Sequence, residues 1–267
     1  MHASRTTQGR RMSAEGVILA GGGAAILLQL AHPAVAAGVA RHSDFAGAPI
    51  RRLLGTLDYV TAAVHGTDAD RGLVRDRVNR AHGFVRGEGY DANDPGLQRW
   101  VAATLYVAAR DVHERVFGPA SPAEAESLLA AFEVLGTELR VPENSWPSSI
   151  PEFEEWWRAE LDLRRVGDDA RSVFEELQRP AGAPWYLRML LPLITRVSLE
   201  LLPSRLRREF APGWSKRDRF LVELWWAVAI PLYRVLPRSI RTCLVEVQLR
   251  RLRASAESPS HRAERNS

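Results

Sequence analysis

What the chain lacks narrows its chemistry first. A single cysteine, Cys243, stands among 267 residues, which leaves no partner for an internal disulfide and no thiolate set for a zinc or iron–sulfur site. Such a chain fits a reducing cytoplasm. Lysine is nearly missing too: Lys216 stands alone, so the 36 basic residues are almost all arginine, as a GC-rich bacterial genome encodes. They face 32 acidic residues, a near balance with no basic stripe, which argues against a nucleic-acid partner. No alternating β-branched runs closed by Asn-Gly or Asp-Gly turns occur, and with them goes the strand signal. His-Glu-x-x-His, Gly-x-Ser-x-Gly and Walker motifs are all absent, and Gly21-Gly22-Gly23 follows no strand, so it is not a dinucleotide fingerprint.

What is there is helical periodicity. Apolar residues recur every three to four positions, which predicts an all-α domain of about ten helices. They cover 12–40 with an interruption at the glycines, 49–64, 70–87, 94–117, 121–136, 151–164, 168–178, 186–202, 217–236 and 238–254. Asp94-Pro95 and Ser121-Pro122-Ala123-Glu124 are helix starts, the second a capping box, while Gly118 and Gly136 are placed to end helices. Residues 1–13 read as an N-terminal tail, 14–254 as the domain, and 255–267 as a polar, disordered tail.

Two segments raise the question of a membrane. Residues 16–40 carry no formal charge and are long enough to cross one. The glycine triplet, Gln29, His32 and Pro33 are costly in hydrocarbon, so a tightly packed core helix is the better reading. Near the C-terminus, Trp225-Trp226, Leu232, Tyr233 and Leu236 precede Arg238, Arg241, Arg250, Arg251 and Arg253. Peripheral membrane contact is one reading, and core packing with a solvated basic end is the simpler one.

Among the seven histidines, His2 and His261 fall in the tails, His113 in a charged turn, and His42 and His65 at helix ends. His32 and His82 have apolar neighbours. On the helix 70–87, Val74, Val78, Ala81 and Val85 form the inward stripe, with His82 at its edge beside the flank of Arg75 and Arg86. A histidine so placed is either a hydrogen-bonded structural group or a metal ligand. The helix before it has one stripe for the core, Ile50, Leu53, Leu54, Leu57, Thr61 and Val64, and a second of Arg52, Thr56, Tyr59 and Ala63. Arg52 and Thr56, at i and i+4, suggest an interior cavity. The alternative is that Arg52 reaches solvent and Thr56 bonds a backbone carbonyl.

These residues fall in blocks that resemble a known family. Gly22 to Ala36 with its Gln29-Leu30-Ala31-His32-Pro33 core, His42-Ser43-Asp44-Phe45, Pro49 to Thr56, Tyr90 to Pro95 and Trp100 to Leu105 resemble the MpaB oxygenase and latex-clearing rubber oxygenase family (DUF2236), over about residues 14 to 235. The resemblance implies a globin-like helical domain binding b-type haem, with His82 as axial iron ligand in His82-Gly83-Phe84-Val85-Arg86 and Arg86 as its polar support. It implies Arg52 and Thr56 as the catalytic pair beside the haem. His32 is either a second pocket ligand or a structural group at the proline break. The chain departs from rubber oxygenases at Gly55, where they carry lysine, and at Ala103 or its neighbour, where the family carries histidine.

The expected function is therefore a haem b-dependent oxygenase acting with dioxygen on an apolar, isoprenoid or lipid-like small molecule. The competing expectation is a haem or lipid carrier, or a membrane-surface protein, that keeps the fold without the chemistry.

Overall fold

A computed structural model describes residues 2–42, 49–179 and 185–257, with side chains for 6–42, 54–179 and 185–256. Fourteen α-helices carry the described residues, more than the ten expected: α1 His2–Ser13, α2 Gly22–Leu30, α3 Pro33–His42, α4 Pro49–His65, α5 Asp68–His82, α6 Pro95–Phe117, α7 Pro122–Phe132, α8 Val134–Thr137, α9 Ile150–Leu163, α10 Asp168–Gln178, α11 Trp185–Glu200, α12 Ser204–Phe210, α13 Lys216–Val235 and α14 Arg238–Glu257. Two short 3-10 turns, Gly16–Gly21 and Glu143–Ser145, and one hairpin are the other regular elements among the described residues. In that hairpin β1 (Arg86–Gly87) pairs antiparallel with β2 (Tyr90–Asp91). The class is all-α.

The local chemistry explains several boundaries. The Asp94 carboxylate accepts from the Leu97 N–H at 2.9 Å, and Ser121 and Glu124 close the capping box before α7, so orphan amides at both helix starts are satisfied. Gly118, at φ 91, ends α6 in a conformation that a Cβ disfavours. Gly136 does not end a helix as expected; it lies within α8, where Val141 packs so closely that an added Cβ would sit 2.8 Å from its Cγ2. The predicted helix 186–202 stops at Glu200, and α12, which the sequence reading missed, follows it.

Residues 16–40 form a 3-10 turn and two short helices, α2 and α3, broken at Ala31-His32. Small residues are what allow the packing there. A Cβ on Gly21 would lie 2.7 Å from the Ala108 carbonyl oxygen, and one on Gly23 2.0 Å from Ser198 Oγ, so the α6 backbone and the Ser198 side chain of α11 press directly on the glycine run. Ala24, Leu28, Leu30 and Ala31 are at most 1% exposed. Among the described residues no single helix is long and apolar enough to cross a membrane.

The N-terminal residues expected to be a tail are corrected by the fold. α1 docks along α7, and the Gly9 N–H donates to Ser127 Oγ at 2.8 Å. At the other end the helix persists through Glu257, three residues past the expected boundary; residues 258–267 lie outside the described residues. A Cβ at Gly9 would fall 2.1 Å from the Ser127 carbonyl oxygen and 2.7 Å from Leu128 Cα, and backbone cannot swing aside. Gly9→Ala is therefore expected to lift α1 off α7 at a cost of about 1–3 kcal/mol, seen as a lower thermal midpoint and faster proteolysis within residues 2–13. An unchanged midpoint and cleavage rate would mean that α1 is not docked there.

The far end of the chain is pinned by charge. Asp70 caps α5 through Thr67 and is gripped by Arg253 of α14 through two bonds of 3.0 and 2.7 Å. The Arg253 guanidinium holds the Asp70 carboxyl well below the usual carboxylate range.

α6 divides the interior. Trp100, Ala103 and Tyr106 face an aromatic core in which Trp100 stacks on Trp157 at 4.9 Å and Tyr106 meets Phe153 edge-on at 4.7 Å. Gln98, Val101, Ala102 and Leu105 line a cavity on another face of the same helix.

Candidate functional site

The cavity has a volume of about 430 Å³ and is walled by α2, α3, α4, α5, the hairpin, α6 and α8 with the residues just beyond it, within the size range of small-molecule sites. Val35, Val39, Val78, Leu97, Val101, Leu105, Leu135 and Leu139 make most of it apolar. Into that surface converge a few polar groups: Gln29, His42, Thr56, Tyr59, Arg77, His82 and Tyr90. A wider hollow of about 710 Å³ lies between α10, α11 and the α12–α13 turn, but its walls bring arginines, Gln178 and Thr195 without a histidine. The apolar, imidazole-bearing cavity is the better candidate for a reactive site.

Two of the expected site residues meet in it. Thr56 arrives from α4 and His82 from the last position of α5. Of the second stripe of α4, Thr56 and Tyr59 line this cavity, and Tyr59, 8% exposed, spends its hydroxyl on the Leu135 carbonyl at 2.7 Å. Burial pushes the Tyr59 phenol up, with the Glu138 charge adding to it, so it stays protonated as a fixed donor. The Arg52 side chain lies outside the described residues.

His82 does not sit in mid-helix as the periodicity predicted. α5 stops there, and its carbonyl accepts from Val85 N–H at 3.0 Å and Asn93 Nδ2 at 3.3 Å as the chain turns into the hairpin. Val85 lines the cavity from beyond the helix end, so the apolar spacing continued although the helix did not. Arg86 is corrected by the same turn: it lies exposed on β1, paired with Asp91 in the ladder, and is no part of the cavity wall. The cation that does line it is Arg77, 3.6 Å from Asp58. Arg75 is committed to Glu138 at 3.2 Å.

His32 also lies off the wall. Its Nδ1 accepts from the Ala34 N–H at 3.2 Å, satisfying an amide freed by the start of α3 at Pro33, and its ring tilts on Trp100 at 6.4 Å. Burial, with the nearby Arg164 charge, pulls the His32 imidazole down to about 4, and burial with Arg10 does the same to His65, which meets Ser13 Oγ at 3.3 Å. Both rings are therefore neutral in the fold at pH 7.

The sign of the pH effect follows. Above pH 6.5 both rings are neutral folded and unfolded; as pH falls from 6.5 towards 4 the unfolded chain takes up their protons first, and stability is lost. The combined loss is on the order of a few kcal/mol, reduced by the partial exposure of both rings. Thermal midpoints measured across that window should fall, and His65→Gln should flatten the fall; a midpoint independent of pH there would refute the assignment.

The sequence reading missed His42 and Tyr90. His42 Nε2 and the Tyr90 hydroxyl are hydrogen-bonded at 2.8 Å on the cavity wall. Glycines make room for the phenol: a Cβ on Gly87 would strike the Tyr90 hydroxyl at 2.5 Å, and one on Gly38 would press on its ring at 3.4 Å. Arg41 lies 5.4 Å over the same ring. Gln29 also faces the cavity and donates to Thr104 Oγ1 at 3.1 Å. Of the two alanines of the second block, Ala102 is on the wall and Ala103 is fully buried in the core.

Among the described residues no three histidine, cysteine, aspartate or glutamate side chains gather as a metal site. The donor set instead fits a macrocycle, which brings four nitrogens of its own and needs one imidazole from the protein, apolar walls for its faces and a cation for its carboxylates. His82, the valine and leucine walls and Arg77 are the groups that could serve so.

Residues 9–234 match the family model described as the catalytic domain of ER-bound oxygenase mpaB/B′ and rubber oxygenase. An uncharacterized protein of Mycobacterium tuberculosis and one of Mycobacterium bovis are each 33% identical over 215 residues, spanning 77% of this chain and 84% of theirs. No solved structure matches the chain. With the family model spanning most of its length, the chain belongs to the MpaB and rubber oxygenase family of oxygenase catalytic domains.

Proposed function

We propose that the protein is a haem b-dependent oxygenase of an apolar, isoprenoid or lipid-like substrate, with His82 as the residue that would hold the haem iron. The observation that carries it is the meeting of His82 and Thr56, from two different helices, in one apolar cavity. Bound there, haem would supply the activation of dioxygen.

The chain's own residues do the rest. The His82 imidazole offers one ring nitrogen to iron, and its place on the helix-ending turn orients the ring. Arg77 offers positive charge to a propionate. Val35, Val39, Leu97, Val101 and Leu105 bind hydrocarbon and keep water out. Thr56, on the cavity wall, orients the reacting groups by hydrogen bonding, and the His42–Tyr90 pair holds a proton at the wall. At Gly55 an added Cβ meets nothing within 4 Å, so the absence of the lysine found in rubber oxygenases leaves that stretch of wall open to substrate.

Protein expressed with haem supplied should show a Soret band and consume oxygen with prenyl or fatty substrates. A haem-loaded protein that takes up no oxygen with either class would leave the haem-carrier reading in its place, and a protein that binds no haem would end the oxygenase reading and leave a lipid-binding or membrane-surface protein.

A further inference from the structure

The last third of the chain presents an apolar face that nothing among the described residues covers. α13 turns Val222 and Trp226 inward, where they pack with Val112, Val116 and Val197. Its outer side bears Phe220, Leu224, Val228, Leu232 and Val235, a row spaced by three to four residues with Trp225 beside it, in which Leu232 is 63% and Val235 78% exposed. α11, packed against α13, adds Trp185 and Met189, each 72% exposed. An unbroken row of this size on a soluble surface marks a docking site.

Charge says what docks. Residues 185–267 hold 16 basic against 7 acidic residues, whereas residues 1–184 hold 20 against 25. The excess frames the row: Lys216, Arg217 and Arg219 stand at one end of α13 and Arg234 and Arg238 at the other. None of these five has an ion-pair partner among the described residues. A twofold pairing of this face with itself would bring like charges together. A bilayer with anionic headgroups fits both features, since apolar side chains and tryptophan settle at the acyl boundary while arginines meet phosphates.

We infer that the α11–α13 face lies on the surface of an anionic lipid bilayer. It rests on the membrane rather than crossing it, because α13 keeps one side in the protein core and turns through 91° into α14. The inference does not depend on what the cavity binds.

The test is flotation of the full-length protein with vesicles of equimolar phosphatidylglycerol and phosphatidylcholine, or of phosphatidylcholine alone, alongside light scattering of the free protein. The expected result is binding to the anionic vesicles, at least about tenfold weaker to the neutral ones and weakened by salt. The double variant Leu224→Glu, Leu232→Glu should lose that binding while keeping its circular dichroism and thermal midpoint, because both side chains are exposed. Absence of binding to either vesicle, or binding untouched by the double variant, would overturn the inference. So would a dimer of the free protein that the same variant dissociates, which would assign the face to a second copy.

Discussion

Replacing His82 with alanine is expected to abolish the Soret band of the haem-reconstituted protein while its circular dichroism and thermal midpoint without haem stay near those of the parent. The side chain is half-buried at a helix end, so its removal opens little cavity in the core, whereas iron would lose its protein ligand altogether. His42→Ala tests the assignment from the other histidine in the same cavity. It should keep the band, with altered position or turnover, because it loses only the 2.8 Å bond to Tyr90. The reverse pattern, a band lost with His42 and kept without His82, would move the ligand to α3 and overturn the assignment.

Trp100→Ala is expected to cost about 3–5 kcal/mol, read from the denaturant midpoint. The indole is 1% exposed, stacks on Trp157 at 4.9 Å and lies under the Arg164 guanidinium at 4.6 Å. Its truncation therefore leaves a hole in the aromatic core and strands a buried cation without its ring. Trp100→Phe should cost less than half as much: the ring contact survives, and the buried Nε1 has no hydrogen-bond partner to lose. Equal losses from the two substitutions would show that the indole nitrogen is bonded after all.

Much of the fold was legible in the sequence because its signals are local. Asp94-Pro95 and Ser121 to Glu124 mark their helix starts by side-chain chemistry that needs no knowledge of the rest of the chain. α1 was not legible. Its attachment to α7 runs through a glycine backbone at Gly9, a contact that leaves no apolar stripe in an arginine-bearing segment. The apolar pattern carries α5 five residues too far for the opposite reason: Val85 keeps the inward rhythm although the chain has already turned, and the glycines at 83, 87 and 89 are the available sign of that turn, Gly89 adopting φ 79.

The candidate site divides in the same way. Thr56 and His82 could be placed because each sits on or at the end of a periodic helix, and the structure brings both to one cavity. Arg86 went astray with the end of α5, and Arg77, one turn and a half earlier on the helix, lines the cavity in its stead. His42 and Tyr90 are 48 residues apart and meet only because α3 and the hairpin pack together, so nothing in either neighbourhood announces the pair. His32 looked like a ligand because its neighbours are apolar, yet a proline two-helix break supplies an amide for it to bond, and that explains its burial.

The two faces of α6 also bear on how such a protein diversifies. Val101, Ala102 and Leu105 shape the cavity, while Trp100, Ala103 and Tyr106 hold the aromatic core. Substitutions on the first set change which molecule fits and leave the second set's packing in place. Substrate range can drift along one side of this helix under selection for new chemistry, with foldability conserved by the other.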